Sequence, residues 1–199
     1  MKPKVAIVIL AAGASSRMGV PKQLMPWGND SLLNHVISTA STLGLQLHII
    51  LGAHGETIRK EIPKINNVHP HINPQWKEGI GSSIAFAIST LKNLKLDGVL
   101  FLLGDQPFVS ADYLKEIITH FEKDTSEIIV SEFHGNLGVP ALFSSEYFNE
   151  LSTLHADIGA KLIIKKHQKK VLKLNAEPHV RDIDTLEDYQ KAHQVMFGK

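Results

Sequence analysis

The chain of 199 residues contains no cysteine. This absence excludes disulfide bonds, thiolate metal sites and thiol nucleophiles, and it fits a reducing compartment, so we expect a cytoplasmic protein. The formal net charge is only +1, so no overall field would attract nucleic acid or an anionic membrane, and we expect neither as a partner. No apolar stretch is long enough to cross a bilayer. The apolar run from Val5 to Ala12 loosely imitates a signal peptide, but it is short and leads directly into a Gly/Ser loop.

The hydrophobic pattern alternates between two kinds of segment. Continuous β-branched apolar runs predict buried strands over residues 5–10, 47–51 and 99–103, with weaker candidates at 128–130 and 171–174. Helical stripes cover residues 32–43, 84–91 and 114–121, and Ser110 and the sequence 185–188 predict helix starts. Residues 69–74 and 133–140 are predicted loops. This alternation predicts an α/β fold: a single Rossmann-like three-layer domain over residues 1–199, with a mainly parallel sheet and helices on both faces.

Two familiar nucleotide-binding fingerprints are also missing, because neither a Walker Gly-Lys-Ser/Thr nor a G-x-G-x-x-G pattern occurs. Instead, the first predicted strand runs into a loop of small residues, Leu10 to Lys22, that contains Arg17. Small residues let backbone N–H groups approach phosphate oxygens, and two cations would add charge for a polyphosphate. The alternative is a surface loop with two solvated cations.

Two acidic motifs follow. Asp105 lies just after a predicted strand, where it could hold Mg²⁺ above the sheet or simply stabilise the turn before Ser110. Asp182 and Asp184 alternate in an extended segment, which places both carboxylates on one side. Either of the two could cap the last helix or complete a metal site with Asp105, and the pattern leaves both possibilities open.

A fourth motif, residues 73–83, places Gly79, Ser82 and Ser83 at a predicted helix start. These residues could offer N–H and hydroxyl groups to a nucleoside or phosphate, or the serines could simply cap the helix. The 11 histidines show no zincin spacing and are interpreted as surface or half-buried residues.

In this order, the motifs resemble the molybdenum-cofactor cytidylyltransferase-like family of NTP transferases. Residues 10–24 match the family's Leu-Ala-Ala-Gly opening, and 73–83 resemble its nucleoside segment. Residues 104–107 resemble its metal motif, 135–140 its acceptor loop and 182–188 its terminal acidic motif. The resemblance implies a fold of the nucleotide-diphospho-sugar transferase type. It also implies transfer of CMP from CTP to the phosphate of a molybdenum cofactor, with release of pyrophosphate.

The resemblance carries roles to individual positions. It implies nucleotide contacts at Leu10, Ala11, Ala12, Gly13, Arg17, Lys22, Gly79 and Ser82. It implies catalytic roles for Arg17, Lys22 and Asp105. It implies that Asp105 binds Mg²⁺ with Asp184 as partner and Asp182 in reserve. It implies an acceptor side at Gly135, Gly138, Pro140 and Asp157. A molybdoenzyme that receives the product is the implied protein partner.

Some positions adjust these expectations. Ala12 favours CTP, because related guanylyltransferases carry glycine there. Ala156 and Lys161 stand where the family has glycine and arginine, and the usual basic residue between Gly135 and Gly138 is missing. These departures fall on the acceptor side. They keep open a sugar- or polyol-phosphate acceptor with CTP or GTP, and a non-catalytic protein that binds and hands over a cofactor.

Overall fold

The computed structural model describes residues 2–16, 18–125, 127–177, 179–180 and 182–198. Within these ranges the strands are β1 (Val5–Ala11), β2 (Pro26–Trp27), β3 (Asp30–Ser31), β4 (Gln46–Leu51), β5 (Val68–Ile72), β6 (Gly98–Leu103), β7 (Ile128–Phe133), β8 (Asn136–Ser144) and β9 (Val171–Asn175). The helices are α1 (Leu32–Ser41), α2 (Gly55–Glu61), α3 (Ile80–Leu91), α4 (Ala111–Lys123), α5 (Phe148–Ser152), α6 (Lys161–Lys166) and α7 (Leu186–Phe197).

The main sheet has seven strands in the order β5-β4-β1-β6-β8-β7-β9. Its pairings are parallel except for β8, which runs antiparallel to both β6 and β7. The chain moves outward from β1 to β5 and then returns to β6 on the other side of β1. The strand order therefore reverses between β1 and β6, and in open α/β sheets ligands bind beyond the carboxyl ends of the strands at this point.

Alternate residues of each central strand supply two separate cores. Ile7 and Ile9 of β1 pack with α1, α2 and α4, whereas Val8 and Leu10 pack with α3, α5 and α6. Side chains on both faces are buried because helices cover both faces, which is why these strands are apolar throughout. The predicted three-layer α/β architecture is confirmed.

A third, smaller core holds the C-terminal segment against the rest. It is formed by Trp27, Leu32, Ile183 and Ala192, and Trp27 is 1% exposed. Through this core, α7 packs against both the β2–β3 ribbon and α1. Because Ile183 is anchored here, the carboxylates at 182 and 184 are held close to the carboxyl end of β6.

Two predicted loops were wrong. Residues 69–74 contain most of β5, an edge strand that pairs only with β4. Pro70, which suggested a loop, lacks an N–H donor but is tolerated at a sheet edge. Residues 133–140 contain the last residue of β7, the hairpin turn and the first five residues of β8, with left-handed φ angles at His134 (47°) and Gly135 (75°). Two successive positive φ angles suit the twist of a two-residue hairpin turn.

The predicted helix caps are confirmed. The Ser110 side chain accepts the Tyr113 N–H at the start of α4, and Thr185 forms a reciprocal capping box with Asp188 at the start of α7. Among the described residues, no helix combines the length and the apolar character that a membrane span requires.

Candidate active site

The loop after β1 is held in shape by Gln23, a residue that the sequence analysis did not single out. Gln23 is 3% exposed, and its amide nitrogen donates to the carbonyl oxygens of Ala11 and Gly13, each at 3.0 Å. Its amide oxygen accepts from the Ser15 hydroxyl at 3.3 Å, and Ser15 Oγ accepts the Lys22 N–H at 3.0 Å. These bonds link the described residues at both ends of the loop to the buried Gln23 side chain, directly or through Ser15, so these ends are held in place without a ligand.

The same loop lies tightly against its neighbours. The Ala12 carbonyl accepts the Ala53 N–H at 3.1 Å, and a Cβ on Gly52 would approach that oxygen to 2.6 Å. On the other side, Gly104 N–H donates to the Leu10 carbonyl at 3.0 Å. The absence of a side chain at Gly52 therefore allows the close approach that positions the loop at the switch point.

Lys22 connects the two acidic motifs. Its Nζ forms an ion pair with Asp105 and lies 3.3 Å from Asp184 Oδ1, and it also donates to the Ile183 carbonyl at 3.1 Å. The side chains of Lys22 and Asp105 are only 16% and 13% exposed. The structure thus brings together a lysine, two aspartates and the small-residue loop after β1, at the carboxyl ends of β1 and β6.

Burial controls the electrostatics of this centre. Burial alone would lower the pKa of Lys22, but the charges and hydrogen bonds of Asp105 and Asp184 outweigh it and raise the pKa, so the lysine stays cationic. Burial raises the pKa of the Asp105 carboxyl, and the nearby Asp182 and Asp184 add to this, while Lys22 opposes it. A further cation beside Asp105 would favour the charged carboxylate.

The donor atoms present fit a divalent cation. Asp105 Oδ1 is buried and has no hydrogen-bond partner among the described residues. Asp184 is about half exposed and shares Lys22 with Asp105. The described residues contain no cluster of three carboxylates or imidazoles that could hold a metal. A cation here would therefore take its remaining ligands from water and substrate phosphates, as Mg²⁺ commonly does.

Asp182 has a different neighbour from Asp184. Its Oδ1 accepts a hydrogen bond of 2.7 Å from the amide nitrogen of Gln106, a side chain that is 2% exposed. The same nitrogen lies 3.3 Å from the Val139 carbonyl oxygen. Although only one residue separates the two aspartates, Asp184 contacts the lysine centre and Asp182 contacts Gln106.

The loop before α3 is braced by a buried asparagine. Asn73 is 0% exposed, and its amide nitrogen donates to the hydroxyls of Ser82 (3.1 Å) and Ser83 (3.2 Å). The Ser82 hydroxyl in turn lies within hydrogen-bond distance of the Gln75 and Gly79 carbonyls, at 2.8 and 2.9 Å. Neither serine caps the helix, because Gly79 is the N-cap residue and no side chain caps it. Ser82 is instead part of the loop's internal bracing.

Gly79 is required by close packing. Its φ is +99°, and a Cβ there would lie 2.6 Å from the Ala156 carbonyl carbon and would also collide with the Asp157 side chain. The start of α3 therefore packs against the segment around Asp157, which belongs to the predicted acceptor side. This contact brings the predicted nucleotide and acceptor segments next to each other.

Most of the predicted nucleotide residues line one cleft of about 540 Å³. These residues are Leu10, Ala11, Ala12, Gly13, Lys22 and Gly79, and the predicted metal ligand Asp105 lines the same cleft. Ser82 lies behind the wall, and Ser83 lines the cleft in its place. The predicted contact Arg17 lies outside the described residues.

A second, predominantly apolar pocket of about 490 Å³ adjoins the cleft and shares Leu10, Ile80, Leu103 and Asp157 with it. Of the predicted acceptor-side residues, Gly138 and Asp157 line this pocket. Gly135 lies instead at a neighbouring depression. Pro140 does not line the pocket, but its carbonyl accepts from Ser131 Oγ at 2.6 Å in the pocket wall.

The doubly wound sheet, the small-residue loop and the lysine–aspartate centre define an α/β protein with a candidate phosphate and cation site where open sheets bind ligands. The family follows from comparison with known proteins. The family model of the MobA-like NTP transferase domain matches residues 7–171, and the chain belongs to this family of nucleotidyltransferases.

Individual relatives cover the chain almost completely. Purine catabolism protein PucB of Bacillus subtilis (strain 168) is 28% identical over 200 residues, which is 95% of this chain and 96% of PucB. Bifunctional protein GlmU of Coxiella burnetii (strain Dugway 5J108-111) is 30% identical over 175 residues, which is 85% of this chain but only 36% of GlmU.

Two solved structures are similar to this chain over nearly its whole length. Rv0371c from Mycobacterium tuberculosis H37Rv superposes with a TM-score of 0.86 at 28% identity, covering 98% of this chain and 99% of that one. Its complex with manganese superposes with a TM-score of 0.80 at 27% identity, covering 96% and 98%.

Proposed function

We propose that this protein transfers CMP from CTP to the phosphate of a molybdopterin-type acceptor and releases pyrophosphate. The observation that carries the proposal is the junction between the nucleotide cleft and the apolar pocket, close to Asp105. An acceptor in the pocket would present its phosphate to a triphosphate in the cleft. Ala12, which lines the cleft, supports CTP through the family resemblance.

The chain's own residues would bind and orient both reactants. An acceptor phosphate oxygen attacks the α-phosphorus, and the bond to the bridging oxygen of the pyrophosphate breaks with its electron pair. Lys22, held beside Asp105 and Asp184, would stabilise the negative charge that moves onto the leaving pyrophosphate. We propose Arg17 as a second contact to the triphosphate. Because a phosphate monoester is already anionic near neutral pH, the reaction needs no general base.

Asp105 and Asp184 would hold Mg²⁺, which supplies charge neutralisation at the phosphate oxygens when bound. The unpartnered, buried Oδ1 of Asp105 supports this assignment. The manganese complex of Rv0371c is consistent with a divalent cation in this family.

The lining of the second pocket favours a flat, partly apolar acceptor over a sugar or polyol phosphate. Apolar side chains, among them Phe101, Phe133, Leu137 and Phe143, form most of its walls, and such side chains offer no hydrogen bonds to the many hydroxyls of a polyol. The polar lining residues are fewer: Gln106, Ser131, Asn136, Asp157, Lys161 and Asp182. A pterin ring system has the flat shape and mixed character that this pocket suits. We further propose that the protein works in the cytoplasm and passes its product to a molybdoenzyme.

The first test is pyrophosphate release from CTP, GTP, ATP and UTP with Mg²⁺, with and without a molybdopterin-type cofactor. Release with CTP only when the cofactor is present would establish donor, acceptor and reaction together. No release from that pair, by a folded protein that still binds nucleotide, would refute this acceptor. A panel of sugar and polyol phosphates would then be the next measurement.

A further inference from the structure

The apolar pocket has a hydrogen-bonded polar pair in its lining, Gln106 and Asp182. Its other polar lining residues are Ser131, Asn136, Asp157 and Lys161. Gln106 is 2% exposed. The amide nitrogen of Gln106 donates to Asp182 Oδ1 at 2.7 Å and lies 3.3 Å from the Val139 carbonyl oxygen. A carboxylate and a carbonyl can only accept hydrogen bonds, so the nitrogen must face them and the orientation of the amide is fixed.

The other atom of this amide is left without a partner. Gln106 Oε1 is buried and has no hydrogen-bond partner among the described residues. A buried carbonyl oxygen without a donor is unfavourable, so a ligand that brings an N–H or O–H to it gains affinity. A ligand that offers only acceptors there is rejected, because both its own oxygen and Oε1 then remain unsatisfied.

We propose that Gln106 recognises the acceptor by accepting a hydrogen bond through Oε1, and that Asp182 is the positioning residue that holds this amide. The inference rests on the proposed function and narrows its acceptor to a flat nitrogen heterocycle with a ring N–H or amino group. The apolar walls would contact the ring faces, and Gln106 Oε1 would accept a hydrogen bond from an N–H at the edge of the ring. We therefore assign Asp182 this positioning role in place of metal binding.

The contacts of the two aspartates support this division. Asp184 and Asp105 both contact Lys22 Nζ, so their carboxylates converge on one point, where a cation bound beside the lysine would reach both. Asp182 Oδ1 instead accepts a hydrogen bond from the neutral amide of Gln106 and has no such contact with Lys22. The reserve metal ligand of the sequence analysis is thus assigned to acceptor recognition.

The acceptor arm of the test uses a phosphorylated pterin, whose ring fluorescence reports binding without nucleotide. Gln106→Leu should weaken pterin binding by about 3- to 10-fold, the loss expected for one neutral hydrogen bond. A pterin methylated on its ring nitrogens should bind wild-type protein more weakly by a similar factor. This comparison uses only the wild-type protein, so it does not depend on the folding of a variant. In Gln106→Leu the two pterins should bind equally, because the interaction has been removed from both sides. Equal binding of both pterins to the wild type would overturn the proposal.

The second arm measures Mn²⁺ binding in the presence of CTP by electron paramagnetic resonance. Asp182→Asn keeps a side-chain oxygen that can accept from Gln106, so it should bind Mn²⁺ like the wild type and keep its affinity for the pterin. Asp184→Asn, the matched change two positions away, should lose about tenfold or more in Mn²⁺ affinity. Equal loss in both variants would make Asp182 a metal ligand and overturn the assignment. Failure of the wild type to bind Mn²⁺ and CTP would instead refute the proposed function, while the pterin comparison still decides the role of Gln106.

Discussion

Ala156 lies in an unfavourable backbone conformation, and replacing it with glycine should stabilise the protein. Its φ is +57°, and its side chain is exposed. A left-handed conformation costs an L-residue about 1–2 kcal/mol. Glycine removes that cost but gives the unfolded chain extra freedom worth about 0.5–1 kcal/mol. The net gain for Ala156→Gly is about 0.5–1 kcal/mol, which corresponds to a rise in Tm of about 1–4 °C for a chain of this length.

Urea and thermal unfolding, followed by circular dichroism, measure this change. The matched control is Ala85→Gly in the interior of α3, which has ordinary helical geometry and should lose about 1 kcal/mol. The decisive result is that the two substitutions change the free energy of unfolding in opposite directions. If Ala156→Gly destabilises the protein as much as the control does, the left-handed strain at this position is not real.

Two further predictions concern charge. Lys22→Ala should lower kcat/KM by about 100-fold, typical for the loss of one charge contact in the transition state. The control Lys115→Ala, on the exposed face of α4, should leave kcat/KM unchanged. A wild-type kcat/KM in Lys22→Ala would exclude Lys22 from the site. Burial and the neighbouring His71 and His69 lower the pKa of His48 to about 4, so the folded protein resists its protonation while the unfolded chain accepts a proton near pH 6.5. Stability should therefore fall by up to about 3 kcal/mol as the pH drops from about 6.5 to about 4, and His48→Gln should flatten this dependence in urea titrations; an unchanged slope would contradict the argument.

The centre of the fold could be predicted because its signal is local. A strand covered by helices on both faces must be apolar at every position, as Val5 to Leu10 are, so periodicity alone locates it. The edge strand β5 has helix cover and pairing on one side only, so His69, Pro70 and His71 are tolerated and the apolar signal fades. The start of strand β8 was missed for another reason: it carries Asn136, Gly138 and Pro140, residue types that are rare in strands, directly after the turn at His134.

The site could be predicted only as far as strand ends determine it. The rule that ligands bind at the carboxyl ends of parallel strands places the Ala11–Gly13 loop beside Asp105. The bracing role of Gln23 and the separation of Asp182 from Asp184 depend on side-chain conformations. The bond between Gln106 and Asp182 joins residues 76 positions apart, and no short motif encodes such a contact.

The attachment of α7 has a consequence for how the protein loses its candidate site. Lys22 and Asp184 are 162 positions apart, and Asp184 is kept in place through Ile183 and a helix in which Ala192 is the one buried residue among the described positions. Segments with so little buried surface open locally at a lower free energy than the whole domain. Detachment of α7 would withdraw one carboxylate while the sheet and the nucleotide loop stay folded. Mild denaturation is therefore expected to abolish metal-dependent turnover before the bulk of the secondary structure melts.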